Sequence, residues 1–207
     1  MRTFVHFLLP SCTVILLGGG ALWMATDGFR AFTEEGARRL YVAENRPAMP
    51  LLALEDMNGN QLKLLPKSGS SEKVTLVEFI YTSCPTICQT AGSEFARLRD
   101  SFSEAGLGEL VRMISVSFDP LHDPPAKLRE YATNHGADGT IWTIARVNGQ
   151  DLDLMNRSFG LRVIPDGMGG YQHNAAIHLI DRTGNLSSIF NIDDVSAVSS
   201  AVRSKLQ

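Results

Sequence analysis

The sequence predicts an α/β domain preceded by a single apolar N-terminal helix. Three observations carry this expectation. From Thr3 to Thr26 there is no Asp, Glu, Lys or Arg. After residue 50, strand-like runs alternate with runs of helical spacing, and that alternation implies α/β layers with a parallel element. At the first junction between a buried strand and its helix the chain reads FIYTSCPTICQT, residues 79–90, with Cys84 and Cys88 one helical turn apart. The rest is ordinary globular composition: 44% of the 207 residues are hydrophobic, enough for one domain with a real core. A net charge of -3, with no long single-sign run, gives no reason to expect a nucleic-acid partner.

Residues 1–26 read as a membrane anchor or signal segment. The run FVHFLLPSCTVILLGGGALWMA has the roughly 20 apolar residues that a helix needs to span a bilayer. Arg2 precedes it and mixed charges follow, weakly favouring an N-terminus on the inside. The rival is a cleaved signal peptide. Trp23 and Met24 make a poor cleavage site at Ala25, whereas Gly19-Gly20-Ala21 would serve better. The preferred reading is an uncleaved anchor, and either way the following domain is exported. Cys12 has about half of the apolar region after it, unlike a lipoprotein cysteine, and reads as an apolar residue facing lipid. Residues 27–50 form a juxtamembrane linker, a helical stretch FRAFTEEGARRLYVAEN followed by RPAMP.

Residues 51–207 supply the folded domain. LLALEDMNGNQLKL alternates around Asn58-Gly59, a hairpin signal. VTLVEFIY (74–81) is a β-rich run suited to a buried central strand. TICQTAGSEFARLRDSF has helical spacing, with Ile87, Phe95, Leu98 and Phe102 on one face. LVRMISVSF is a second buried strand. DPPAKLREYATNHG opens with Asp and Pro and closes in Gly, a complete helix signature with Asp123 as the expected cap. TIWTIARV reads as a strand and GQDLDLMNRSFG as a helix closed by Gly160. IPDGMGGYQHN reads as a glycine-rich loop. AAIHLID and LSSIFNI form a terminal hairpin around RTGN, and DDVSAVSSAVRSKL is a closing helix.

This succession, with a dithiol at the end of the first buried strand, resembles the thioredoxin fold, here with an N-terminal β-hairpin extension. Pro85 suits the first helical position. Sulfurs at i and i+4 share one face, with Cα atoms roughly 6 Å apart, inside the disulfide range. The helix N-terminus favours negative charge, so at least one thiol should have a lowered pKa. A structural disulfide is the bland reading. A loop of about five residues stabilises by only about 2 kcal/mol, against about 4.7 for a loop of a hundred. Thiol–disulfide exchange and metal binding remain. Two thiolates are soft ligands that favour Cu(I), and no third cysteine lies near the pair.

Of five histidines, His173 alone stands on the glycine-rich loop before a strand. In thioredoxin-like proteins a cis-proline there faces the dithiol. Here the chain reads Gln172-His173-Asn174, and Pro165 comes too early to serve. His122 and His135 flank or end a helix, His6 lies in the apolar segment, and His178 reads as core or as support behind the site. Asp119 and Asp123 follow the second buried strand; Asp123 is expected to cap a helix. Met168 reads as a packing or exposed residue, and Tyr81 as a core aromatic beside the dithiol.

Together, FIYTSCPTIC, SVSFDPLHDPP and YQHNAAIHLIDRTG resemble the Sco/SenC family (synthesis of cytochrome c oxidase) over roughly residues 40–207. That resemblance implies a membrane-anchored, thioredoxin-fold copper chaperone. Its copper ligands would be Cys84, Cys88 and His173, taking Cu(I) and Cu(II), and its oxidised disulfide would block copper. The implied task is delivery of copper to, or reduction of cysteines in, the binuclear copper site of cytochrome c oxidase subunit II. The domain would face the periplasm or an equivalent space. Gln172 and Asn174 depart from the family's common Asp before the histidine and Ser or Thr after it, which bears on imidazole orientation or partner docking. The expected function is a metallochaperone rather than an enzyme in the strict sense. The alternatives are a periplasmic thiol–disulfide reductase working through the Cys84–Cys88 redox pair, and a redox or copper sensor.

Overall fold

The structure, a computed structural model, describes the backbone of residues 2–66, 71–84 and 87–206, excluding the side chains of residues 2–12, 87 and 89. Contacts divide it into two units, Met1–Asn45 and Arg46–Gln207.

The first unit holds α1 (Arg2–Ala25) and α2 (Glu34–Asn45). The Thr26 hydroxyl donates to the Leu22 carbonyl at 2.7 Å and accepts the Phe29 N–H at 3.0 Å, so α1 stops where its side chains turn polar. Thr33 opens α2 by accepting the Gly36 N–H at 3.0 Å, satisfying a donor the helix start leaves over. Among the described residues no helix is long and apolar enough to cross a membrane. The first half of the expected anchor, with His6 and Cys12, lies outside the described side chains.

The second unit opens with β1 (Ala53–Asp56) and β2 (Gln61–Lys63). The Asp56 carboxylate accepts the N–H groups of Asn58 and Asn60 at 2.8 Å, and Gly59 takes φ 84°, so the Asn-Gly signal makes the expected hairpin. There follow β3 (Val74–Ile80), α3 (Ile87–Glu104), β4 (Val111–Ser117), α4 (Pro125–His135), β5 (Trp142–Val147) and α5 (Leu152–Phe159). Then come the short β6 (Val163–Pro165) and β7 (Tyr171–His173), β8 (Ile177–Ile180), β9 (Leu186–Phe190) and α6 (Val195–Leu206). One sheet runs β2-β1-β5-β4-β3-β8-β9. Its centre, β3, β4 and β5, is parallel, and β1 and β8 join it antiparallel. Every residue of β3 is buried, which is why its pattern is continuous rather than alternating. Phe95, Leu98 and Phe102 bury the inner face of α3 as their spacing predicts; the Ile87 side chain lies outside the described residues.

Two expectations are corrected. The segment IPDGMGGYQHN is not a loop: β6 and β7 form a separate two-stranded ribbon with Val163 opposite His173. Its turn is built by the Asp166 carboxylate, which accepts the N–H groups of Met168 and Gly170, with Gly167 and Gly169 at positive φ. Asp123 does not cap α4; Pro124 occupies that position with no side-chain cap. The Asp123 carboxylate is wholly buried and accepts the Thr82 N–H at 2.9 Å, the Thr82 hydroxyl and the Ser117 hydroxyl. It fastens the loops after β3 and β4 to each other. The C-terminal Gly136, by contrast, ends α4 at φ 74° as expected.

Contact between α3 and α4 depends on Gly92. A Cβ there would lie 2.6 Å from the Tyr131 hydroxyl oxygen and 2.8 Å from His135 Nδ1. That hydroxyl donates to the Cys88 carbonyl at 2.8 Å, so the close approach also steadies the first turn of α3. Gly92→Ala is expected to destabilise the fold by about 1–3 kcal/mol, the usual cost of overpacking. Urea unfolding should show a lower midpoint at unchanged slope. An unchanged midpoint would mean that the helices separate freely here.

Candidate metal centre

The site forms where β3 hands over to α3. Past Ile80 the chain turns, with the Cys84 N–H donating to the Tyr81 carbonyl at 3.2 Å. Cys88 is the second residue of α3, and its N–H donates to Cys84 Sγ at 3.3 Å. The first sulfur therefore sits against the helix start, as an N-cap oxygen would. Both cysteines are buried free thiols. Pro85, expected at the first helical position, lies outside the described residues.

The ribbon brings the third group. His173 ends β7, and its Nε2 lies 3.7 Å from Cys88 Sγ. Its ring packs against Phe118 and Tyr81, with centroids 5.0 and 6.4 Å away. Tyr81 in turn meets Tyr171 edge-on at 5.2 Å, so an aromatic wall screens the imidazole. Asn174 fixes the strand end: its Oδ1 accepts the Arg162 N–H at 2.8 Å and its Nδ2 donates to the Gly160 carbonyl at 2.9 Å. Gln172 faces solvent. His173 Nδ1 is buried with no hydrogen-bond partner among the described residues. The imidazole is thus held by packing rather than by an acceptor behind it.

Burial lowers the His173 pKa from its ordinary value, which keeps the ring neutral and its nitrogen lone pair available at neutral pH. Cys88 is not the thiol of lowered pKa that the helix start would allow. Burial pushes its thiol up, the hydrogen bond with Cys84 adds to this, and contact with the Tyr81 backbone offsets only part. Removing a thiolate from water costs more here than the start of α3 returns. Cys88 therefore stays a protonated thiol at neutral pH. Among the described residues no three His, Cys, Asp or Glu groups stand in finished metal geometry. The approach is pairwise: imidazole to one sulfur, and that cysteine's N–H to the other.

The remaining candidates separate from this cluster. Asp119 is buried and meets His122 Nδ1 at 2.8 Å. The pair lines an open cleft of about 580 Å³ with Ser83, Lys127, Gly170 and Tyr171. His178 lies in the core between Phe79 and Phe159, and His135 packs on Tyr131 at 4.4 Å. Met168 is 88% exposed. A buried carboxyl that the sequence reading did not single out is Glu78, in the middle of β3. Its signal was a lone charge in the otherwise uncharged run VTLVEFIY.

Comparison with known proteins places this geometry among others. The SCO1/SenC family matches residues 56–206. A SCO1/SenC family lipoprotein from Bacillus anthracis superposes with a TM-score of 0.70 at 19% identity, over 79% of this chain and 97% of that one. Bradyrhizobium japonicum ScoI with copper bound gives 0.63 at 24%, over 77% and 99%. BsSco gives 0.67 at 22%, over 78% and 95%; it is described as having a disulfide switch and as a member of the Sco family of cytochrome c oxidase assembly proteins.

Proposed function

The chain belongs to the SCO1/SenC family, and on that premise we propose that it is a copper metallochaperone for cytochrome c oxidase assembly. Copper is its cargo, held by the Cys84 and Cys88 thiolates and the His173 imidazole and passed to the binuclear copper site of subunit II. The observation that carries this reading is the approach of His173 Nε2 to within 3.7 Å of Cys88 Sγ, beside the Cys84 sulfur. Thiol–disulfide exchange needs two sulfurs and no imidazole. Two soft sulfurs with one neutral nitrogen suit Cu(I), and the nitrogen extends the set to Cu(II). Copper seen in ScoI and oxidase assembly attributed to BsSco's family support the same assignment.

The thiolate is the ligand, so a Cys84–Cys88 disulfide leaves no sulfur to donate. The test is mass spectrometry of the full chain after exposure to copper and desalting. The reduced chain should carry one copper and the oxidised chain none. Stoichiometric copper on the disulfide form would refute the reading.

We place the domain outside the cytoplasm, tethered by the N-terminal segment. The charge-free run Thr3–Thr26 supports this. Protease added to spheroplasts should digest the domain. A folded domain that resists until lysis would reverse the topology.

A further inference from the structure

The turn between α1 and α2 holds three successive residues in the left-handed region: Asp27 at φ 48°, Gly28 at 72° and Phe29 at 64°. Gly28 is also crowded. The Trp23 indole folds over it, and a Cβ there would lie 3.2 Å from Trp23 Nε1. Asp tolerates this conformation, but a bulky residue such as Phe29 adopts it only against steric resistance. The turn is nonetheless well bonded. The Trp23 carbonyl accepts the Gly28 N–H at 2.8 Å, and the Thr26 carbonyl accepts the N–H groups of Arg30 and Ala31 at 2.9 and 3.0 Å. Arg30 braces it twice: Nε donates to the Asp27 carbonyl at 2.8 Å, and the guanidinium meets Glu44 of α2 at 2.6 Å.

Such strain persists where the surroundings use what it positions. Here it does not bury the aromatic ring it positions. Phe29 is 49% exposed and Phe32 69%, and the two rings stack with centroids 6.5 Å apart. Trp23, near the end of α1, is 55% exposed. The residues buried around the turn are Thr26 and Ala31. A turn that hides a threonine and an alanine and presents two phenylalanines has its polarity inverted for water, and an apolar patch of this kind marks an interaction surface.

The neighbouring residues identify what covers it. On α1, Val14, Ile15, Leu16 and Leu17 are 69–74% exposed. Four successive positions sweep about 300° around a helix, so this apolar surface has no single docking face. A protein groove would cover one side of it, whereas hydrocarbon covers every side. Beyond Thr26 the aromatic rings alternate with charge. In residues 27–45 three arginines stand against four carboxylates, so no excess of either sign selects a basic or an acidic protein. Aromatic rings in a polar frame, next to an all-round apolar helix, match the boundary between lipid headgroups and acyl chains.

We propose that Trp23, Phe29 and Phe32 form a seat for a lipid bilayer, their rings lying at the headgroup–acyl boundary and the left-handed turn holding the phenylalanine pair there. The inference rests on the tether reading above and adds to it where along the chain the membrane ends. A run without charge from Thr3 to Thr26 slides in depth at little cost, and interfacial aromatic rings remove that freedom. α2, with Glu34 and Glu35 in its first turn, then starts in water.

The test measures depth by fluorescence quenching. Full-length chain carrying Phe32→Trp and Trp23→Phe is reconstituted into phosphatidylcholine vesicles whose acyl chains carry bromine, near the headgroup in one set and near the chain end in the other. Trp142 is fully buried in the second unit and supplies an unquenched background. Bromine near the headgroup should quench position 32 at least about twice as strongly as bromine near the chain end. Equal or stronger quenching from the chain end would put the ring in the hydrocarbon core and overturn the inference. Vesicles that float with the protein but quench position 32 from neither depth would also overturn it, with the ring in water or against a protein, and would leave the tether standing. Failure of the wild type to float with vesicles would overturn both. The unsubstituted chain guards against misfolding of the variant: its Trp23 should show the same order of quenching, and any other order would overturn the inference.

Discussion

Cys88→Ser is expected to weaken Cu(I) binding by more than about 100-fold, beyond the 10–100-fold typical of losing an outer-shell partner. Cys88 is the hub of the cluster. Its sulfur faces His173 Nε2 at 3.7 Å, and its N–H rests on Cys84 Sγ. A serine hydroxyl is hard, and at neutral pH it is not an anion, so it replaces neither the softness nor the charge of the thiolate. The fold should survive, because the Tyr131 bond goes to the Cys88 carbonyl and not to its side chain. Cys84→Ser should weaken binding comparably while keeping the start of α3, since a hydroxyl oxygen can accept the Cys88 N–H as well as sulfur does. Competition with a chromophoric Cu(I) chelator measures both. Wild-type affinity in either variant would remove that sulfur from the ligand set.

What the sequence made legible followed from local rules. The hairpin at Asn58-Gly59, the buried β3, and the glycine ends of α4 and α5 each rest on residues within one turn of the event, and each is found. The ribbon carrying His173 escaped because two three-residue strands are too short to show a period of two. Its turn relies on one aspartate and two glycines, which read equally well as a loop. Asp123 was misassigned for a different reason. Asp before Pro-Pro is a good local cap, but the Thr82 and Ser117 hydroxyls reach it from distant positions, and burial with three donors outweighs one cap. The raised Cys88 thiol was not legible for the same reason: the helix start is local, whereas desolvation comes from the surrounding fold. His178 proved to be core, as read, in ring contact with Phe79 and Phe159.

His173→Ala is expected to separate copper work from dithiol work. The substitution removes one nitrogen and leaves both sulfurs, the Cys88 N–H contact to Cys84 and the start of α3. The ribbon should persist, because Asn174 holds its end through Arg162 and Gly160. Among the described residues His173 Nδ1 makes no hydrogen bond whose loss would strand a partner. Cu(I) can remain on two thiolates, whereas Cu(II) depends more on imidazole, so Cu(II) binding should fall by at least about 100-fold while Cu(I) binding falls less. The disulfide should still form and be reduced by an external thiol, since that exchange uses only sulfur. These three readouts fix the state of the protein, and cells carrying the variant as the sole copy then decide its task. Failed oxidase maturation alongside intact thiol cycling would assign the work to metal delivery. Full maturation at limiting copper would assign it to reduction of the partner's cysteines, a job the Cys84–Cys88 pair can perform without any nitrogen ligand.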